Sequence, residues 1–329
     1  MPDRPVGFYV HHHGGGHANR CKLLARRYHP RLVSVFTSAP ERFAGWTGGR
    51  VIPLPPDVSP QRDPAGDLLT DRVLHYAPVD LPDLSRRMAI LADYIAEAQP
   101  ERFIVDLSVE VALFARLCGA RVDLVRLHGH RNDPAHTAAF QLADRLLAPF
   151  APELEDAHTP QWVRDKTDYL GNFSRYDDRR ETRAAARRGR GWGDDERVVT
   201  VINGSGGGER DTNYWIACAR ALPEWQWHLV GKLEPTEDAP GNFHVAGFVD
   251  DTFPYLKGAD VVIGSGGTNT MMEILAAGVP YLSLPEPRPF DEQVCKMRAL
   301  ERLGKTRVIE TLPEPPAWRA YFSDVRARR

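Results

Sequence analysis

Short apolar runs recur along the chain, each closed by a glycine-rich or polar turn and followed by a stretch with helical spacing. In the first half the runs are 6–12 (VGFYVHH), 31–37, 50–54, 102–106, 122–127 and 145–148. Their brevity and β-branched content predict strands covered on both faces. Helical spacing falls between them at 18–28, at 84–98 (Leu84, Met88, Leu91, Ile95), at 109–118 before Gly119, and at 135–142. The pattern restarts at 197–202, followed by a helix at 212–222 and strands at 226–230 and 243–246. Next come a short helix at 255–258 and a strand at 261–263. After it a helix carries Ile274, Leu275 and Ala277, stopped by Gly278 and Pro280. A further strand, a helix at 289–303, a strand at 307–309 and a helix at 318–326 complete the chain. Strand and helix alternating in this way predict doubly wound α/β layers.

With 329 residues the chain is long for one hydrophobic core, so two domains are expected. The boundaries we draw are 1–155, a linker with a solvated basic helix at 156–195, a second domain at 196–312, and a C-terminal helix at 313–329. The fold class expected is α/β, two Rossmann-like domains facing across a cleft. Residues 53–82 are rich in Pro and Asp without clean periodicity, the signature of a long loop. Apolar content of 42% and charged content of 26% are those of a globular protein. A net charge of −2 offers no electrostatic case for nucleic acid. No run approaches the roughly 20 apolar residues of a membrane span, and the N-terminus shows no signal-peptide pattern. Cys21, Cys118, Cys218 and Cys295 are scattered, which argues for reduced thiols in a cytoplasmic protein rather than a disulfide or metal framework.

Glycine-rich turns follow three of the expected strands, at 14–16, 204–208 and 264–267. None is a P-loop, because no Gly-Lys-Ser or Gly-Lys-Thr follows, and none is a clean dinucleotide fingerprint. Each alone is explained equally well by tight strand–helix packing. Two in the same half favour a diphosphate held by main-chain N–H groups at helix N-termini. In the last of them, Thr268 or Asn269 is placed to cap the following helix, and Glu273 lies one turn inside it. His11-His12-His13 does not read as a metal site, since neighbours on a strand point to opposite faces. Asp250-Asp251 reads as a helix cap.

The second half resembles the donor domain of GT-B glycosyltransferases, and among them the family-28 UDP-N-acetylglucosamine transferases of the lipid-I type. The residues that carry the likeness are Gly204-Ser205-Gly206-Gly207, Gly247-Phe248-Val249-Asp250-Asp251, and Ser265-Gly266-Gly267-Thr268 with Glu273-Ile274. Ala277-Gly278-Val279-Pro280 and Asp291-Glu292-Gln293 complete it. The first half is less similar, matching in a strand that runs into Gly14-Gly15-Gly16-His17 and in the surroundings of Asp106 and His128.

The resemblance implies a UDP-sugar donor, with Phe248 and Val249 at the base and Glu273 at the ribose hydroxyls. Ser205 and Ser265–Thr268 would hold the diphosphate, and Asp291, Glu292 and Gln293 the sugar. It implies an inverting transfer to a hydroxyl acceptor without metal or cofactor. His17 is then the candidate base, because imidazole titrates near neutrality. Asp106 would orient it, serve as base itself, or cap a helix. Gly15, Gly16, His128, His130 and Arg131 are candidates for the acceptor side. Residues 11–14, 106–110 and 128–131 depart from the lipid-I type, so the acceptor is not inherited: a glycan, a lipid-linked intermediate or a small metabolite all fit. Peripheral contact with the inner face of a membrane would be made by the basic linker or by apolar loop residues. A nucleotide-sugar hydrolase or 2-epimerase, and a non-catalytic nucleotide-sugar binder, remain the alternatives.

Overall fold

The computed structural model describes residues 4–12, 15–58, 73–203, 211–231 and 238–327. The chain divides into two compact units, Met1–Gly171 and Asn172–Arg329. The first contains β1 (Val6–Val10), α1 (Gly16–Ala25), β2 (Val33–Thr37), β3 (Arg50–Pro53), α2 (Pro82–Ala98) and β4 (Arg102–Asp106). It continues with α3 (Val109–Leu117), β5 (Val122–Val125), α4 (Pro134–Leu142), β6 (Arg145–Ala148), α5 (Gln161–Asp165) and β7 (Thr167–Tyr169). Among the described residues the strands form a seven-stranded sheet in the order β3-β2-β1-β4-β5-β6-β7, parallel throughout. The helices start where local chemistry says they should. Ser108 accepts from the Val111 amide to cap α3, and Asp133 caps α4 with Pro134 at its first position. Leu91 and Ile95 of α2 are buried with Phe36, Phe103 and Val105 in one core.

The second unit contains α6 (Arg183–Arg190), β8 (Val198–Asn203), α7 (Thr212–Ala221), β9 (Gln226–Gly231), β10 (Phe243–Gly247) and α8 (Phe253–Gly258). It ends with β11 (Val261–Gly264), α9 (Thr268–Ala277), β12 (Tyr281–Ser283), α10 (Glu292–Arg302), β13 (Arg307–Val308) and α11 (Trp318–Ala327). Its strands, again parallel, are ordered β10-β9-β8-β11-β12-β13. Both sheets therefore wind outward from one strand and then restart on its other side. The reversal falls between β1 and β4 in the first unit and between β8 and β11 in the second. Such a switch point opens a crevice at the carboxyl ends of its two strands, which is where sheets of this kind bind ligands.

The expected linker at 156–195 is not one segment. β7 hydrogen-bonds to β6 and closes the first sheet, with Leu146 opposite Thr167, so the first unit runs past residue 155. The remainder belongs to the second unit, and its basic helix α6 is not solvated throughout. Arg187 is 1% exposed and donates to the carbonyls of Gly193, Glu196 and Gly258. Arg183 pairs with Asp260 at 2.8 Å. Arginine is long enough to carry its charge across an apolar contact to main-chain acceptors, which an arginine-rich stretch read as a string of charges does not reveal. Nor are residues 313–329 an appendage: Trp318 and Phe322 lie in the same core as Trp215 and Trp227. Among the described residues, no helix is long and apolar enough to cross a membrane.

Candidate functional site

At the switch point of the first unit, β1 and β4 lie side by side with Val10 paired to Asp106. Beyond Asp106 the chain turns through Leu107, whose φ of 73° is left-handed and costly for a leucine. Ser108, not Asp106, then caps α3. The Asp106 carboxylate is instead turned toward α1. It accepts from Arg20 Nε at 3.0 Å and Nη2 at 2.8 Å, and lies 3.1 Å from His17 Nδ1. His17 and Arg20 are three residues apart on α1, which sets them on one face. Burial would push the Asp106 carboxyl up, but the Arg20 guanidinium and the His17 ring hold it well below the usual carboxylate range. It is an anion at neutral pH.

An anionic Asp106 can only accept and Arg20 can only donate. Arg20 Nη2 is also 3.0 Å from His17 Nδ1. These contacts ask for opposite tautomers of one imidazole. With the proton on Nδ1, His17 donates to Asp106 and its Nε2 carries the lone pair of a base. With Nδ1 accepting from Arg20, the proton sits on Nε2.

In the second unit, β11 runs into Ser265-Gly266-Gly267, and Gly267 is the N-cap of α9. No side chain caps this helix, so neither Thr268 nor Asn269 has the capping role expected of it. The reason is position: Thr268 is already the first helical residue. The turn is clamped from beneath. A Cβ on Gly266 would stand 2.9 Å from Gln293 Cβ and 3.0 Å from Met297 Cγ, so only glycine lets α10 come this close. Gln293 Oε1 accepts from the amides of Gly266 and Glu286, both at 2.9 Å, and the residue is 5% exposed. Its carbonyl oxygen is thus a brace for two loops rather than a group offered to a sugar. Glu292 turns toward Lys296, at 3.4 Å. Asp291 is exposed and, with Phe290, has a left-handed backbone (φ 52° and 62°), so the expected helix at 289–303 is broken there and α10 begins at Glu292.

Glu273 on α9 is half-buried, its side chain 12% exposed, and is engaged by neighbours not expected from the sequence. Arg175 Nε donates to it at 2.9 Å, and Thr252 Oγ1 at 2.8 Å. Phe248 is 66% exposed just after β10, an unusual position for a large aromatic ring, and Val249 beside it is half-buried. Ser265 is 5% exposed. Asp251 Oδ1 accepts from the Phe253 amide at the start of α8. Gly204, Ser205, Gly206 and Gly207 lie outside the described residues, as does Gly14.

The acceptor-side candidates do not gather. His128 is 2% exposed, its Nε2 is 2.8 Å from the Leu154 carbonyl, and its ring lies 3.9 Å from that of Phe150. It is a core histidine. His130 is exposed with its ring near His158. Arg131 donates to the His128 carbonyl and reaches His136 Nε2 at 3.0 Å. Gly15 is the N-cap and Gly16 the first residue of α1, beside His17.

β1 ends at Val10, so the alternation argument does not apply to His11 and His12. Their donor atoms and one from Asp57 fall within 4.8 Å of one another. The two rings are stacked at 4.7 Å and 15°, so their in-plane lone pairs run side by side rather than converging. A second group, His75, Asp133 and His136, is closed by its own hydrogen bonds of 2.7 and 2.6 Å to Asp133.

Polar residues that escaped the sequence reading include Arg20, Lys296, Arg175 and Thr252. Arg20 was legible in principle, by its i,i+3 spacing from His17. Lys296, which donates to Thr268 Oγ1 at 2.7 Å, sits four residues after Glu292. Arg175 had no signal, because it is 98 residues from Glu273 in the chain.

Residues 209–315 match the glycosyltransferase family 28 C-terminal domain. An uncharacterized glycosyltransferase of Methanosarcina acetivorans is 34% identical over 122 residues, 36% of this chain and 32% of the relative. The UDP-N-acetylglucosamine–N-acetylmuramyl-(pentapeptide) pyrophosphoryl-undecaprenol N-acetylglucosamine transferase of Corynebacterium glutamicum is 32% identical over 83 residues, 25% of this chain and 23% of that enzyme. The chain thus spans about a third or less of the length of these relatives. Among solved structures, the glycotransferase of kitacinnamycin aligns with a TM-score of 0.69 at 18% identity, covering 99% of this chain and 91% of its own. Acinetobacter baumannii MurG aligns with a TM-score of 0.66 at 15% identity and the same coverage. The segment that matches the glycosyltransferase family 28 C-terminal domain lies within the second unit, and the chain as a whole has the fold of the GT-B glycosyltransferases.

Proposed function

We propose that this protein is a metal-independent, inverting glycosyltransferase that takes its sugar from a UDP-sugar and passes it to a hydroxyl acceptor. The observation that carries the reading is where the family-28 segment falls. Its uncapped α9 starts at the switch point of the second sheet with Glu273 one turn inside. A helix N-terminus at a crevice favours a diphosphate, and a carboxylate one turn on suits ribose hydroxyls. Phe248 supplies an exposed ring for the base. Asp291 is the member of the Asp-Glu-Gln run left facing solvent.

The transfer forms a bond from the acceptor oxygen to the anomeric carbon and breaks the bond from that carbon to the diphosphate. The acceptor proton goes to Nε2 of His17, whose Nδ1–H is held by anionic Asp106. The charge on the departing diphosphate is met by the α9 N-terminus, in the role that a metal ion has elsewhere. Glu273 is released to the ribose when Arg175 swings aside or is shared between them.

A panel of UDP- and TDP-sugars, with calorimetry for binding and product analysis for turnover, tests this. At least one donor should bind and be transferred or slowly hydrolysed, with rates unchanged by EDTA. His17→Ala should lower transfer at least about 100-fold while leaving donor affinity within twofold. Indifference to every donor would sink the proposal. Free sugar or an epimer released at enzyme-like rates without acceptor would move it to hydrolase or epimerase, and binding without turnover to a non-catalytic role.

A further inference from the structure

We infer that Arg20 is a positioning residue that shares the Asp106 carboxylate with His17 and so keeps the imidazole neutral and ready to act as a base. The inference rests on the transferase reading above, in which His17 takes the acceptor proton. Arg20 Nε donates to Asp106 Oδ2 at 3.0 Å, and its Nη2 donates to Oδ1 at 2.8 Å. His17 Nδ1 lies 3.1 Å from the same Oδ1 and 3.0 Å from the same Nη2. One negative group therefore serves two neighbours, and the two neighbours touch. The side chains of Arg20 and Asp106 are 4% and 6% exposed, so salt and water screen the cluster little.

Two demands meet on His17. Its ring must be oriented, and its Nε2 must hold a lone pair when the acceptor arrives. A carboxylate alone meets the first demand and works against the second. It favours the imidazolium, which is a donor at both nitrogens and can accept no proton. A guanidinium is a permanent cation, and it disfavours a second cation beside it. Arg20 thus offsets the charge that would keep His17 protonated. Its planar fork meanwhile fixes the carboxylate on which the Nδ1–H of His17 rests. Asp106 can then orient the ring without holding it as an imidazolium.

The other titratable or charged groups around the cluster offer no carboxylate. His11 lies beyond the end of β1, with its ring 5.5 Å from that of His17. Cys21 follows Arg20 on α1, and burial pushes its thiol up. Lys22 donates to the Arg42 carbonyl, and Arg42 Nη1 would stand 3.6 Å from a Cβ on Gly15. The balance of charge on His17 is accordingly set by Asp106 and Arg20.

The test follows the His17 imidazole by NMR against pH in the full chain, beside the acid limb of transfer, which reports protonation of the base. Arg20→Gln keeps a donor for Asp106 and removes the charge. It should move both midpoints to higher pH by about one unit or more, because the Asp106 charge is then no longer offset. Arg20→Met reads the same loss of charge should Arg20→Gln not fold. Asp106→Asn should move the midpoints the opposite way. The double variant Arg20→Gln/Asp106→Asn, which loses one charge of each sign, should return to within about half a unit of wild type. Arg20→Lys retains the charge without the fork: its midpoints should stay within about half a unit of wild type, while kcat falls about tenfold at unchanged donor KM. A midpoint unmoved by the neutral variants, or moved as far by Arg20→Lys, would overturn the role. If the wild type transfers no sugar from any donor, the transferase reading fails, and the NMR midpoints still decide whether Arg20 governs His17.

Discussion

At the scale of single residues, burial and partners decide what a titratable group can do. Asp106 and His228 show the two directions. Asp106 is buried with a guanidinium against it and stays an anion, which is what an orienting group for His17 needs. His228 on β9 is buried with no carboxylate partner among the described residues, stacked 4.6 Å from His244 and tilted by 38° against Trp192 at 4.4 Å. Burial first, then His244 and Arg190, push it down to about 3 from 6.5. The unfolded chain takes up that proton more readily than the folded one. His228 therefore contributes stability in full above pH 6.5, and the contribution is lost as pH falls below that value toward 3. Between pH 6.5 and 5 the loss should reach about 2 kcal/mol. His228→Phe should flatten the decline in thermal midpoint over this window; an unchanged slope would show that the group lies elsewhere. Nothing in the residue types distinguishes His17, His128 and His228. One is half-buried beside a carboxylate, one is bonded to a carbonyl in the core, and one is stacked. Their roles came from neighbours 26 to 89 residues distant in the chain or from aromatic packing.

At the scale of elements, strands and helices were legible because each carries its own periodicity and punctuation. The turn after β11 was legible as well, since glycine, a short apolar run and a following helical face are local signals. What holds that turn in place was not. Gln293 reaches back 27 residues to the Gly266 amide, and Met297 packs where a Cβ on Gly266 would be. Gly266→Ala should therefore push α10 away from the turn, costing about 1–3 kcal/mol of stability. Because the turn's amides shift with it, UDP affinity should drop at least tenfold in variant protein that is still folded at the assay temperature. Normal affinity together with a normal melt would show that α10 yields and that the clamp is not needed. The kink at Phe290 and Asp291 was equally hidden. A run that reads as one helix from 289 to 303 is split by two left-handed residues whose sequence neighbours give no glycine or asparagine to announce it.

At the scale of the molecule, two doubly wound sheets were expected and two were found, but the boundary between the units lies elsewhere. β7 completes the first sheet, and α6 joins the second core through Arg187. At the other end Trp318 is 0% exposed against Trp215. A fragment of residues 172–329 should consequently melt cooperatively by circular dichroism. A fragment of residues 196–312 lacks both plugs and should show no cooperative transition. A sharp melt for the shorter piece would return α6 and α11 to the status of attachments. Composition misled here because six arginines between 179 and 190 count as polar in any average, whereas a buried guanidinium with carbonyl acceptors is part of a core.

By itself the sequence determined the alternation of strand and helix, the restart of the pattern at mid-chain, and the glycine turn leading into α9. These are local: period, β-branching and turn chemistry act over a few residues, and a chain of this pattern has few sheet arrangements open to it. Only the tertiary structure decided which strands meet at each switch point and thus that His17, Arg20 and Asp106 share one hydrogen-bonded cluster. It alone decided that Gln293 braces main chain, that Arg175 and Thr252 engage Glu273, and that Lys296 lies beneath Thr268. The physical reason is common to all of them. Hydrogen bonds and ion pairs of buried side chains depend on distance in space, and distance along the chain carries no record of it.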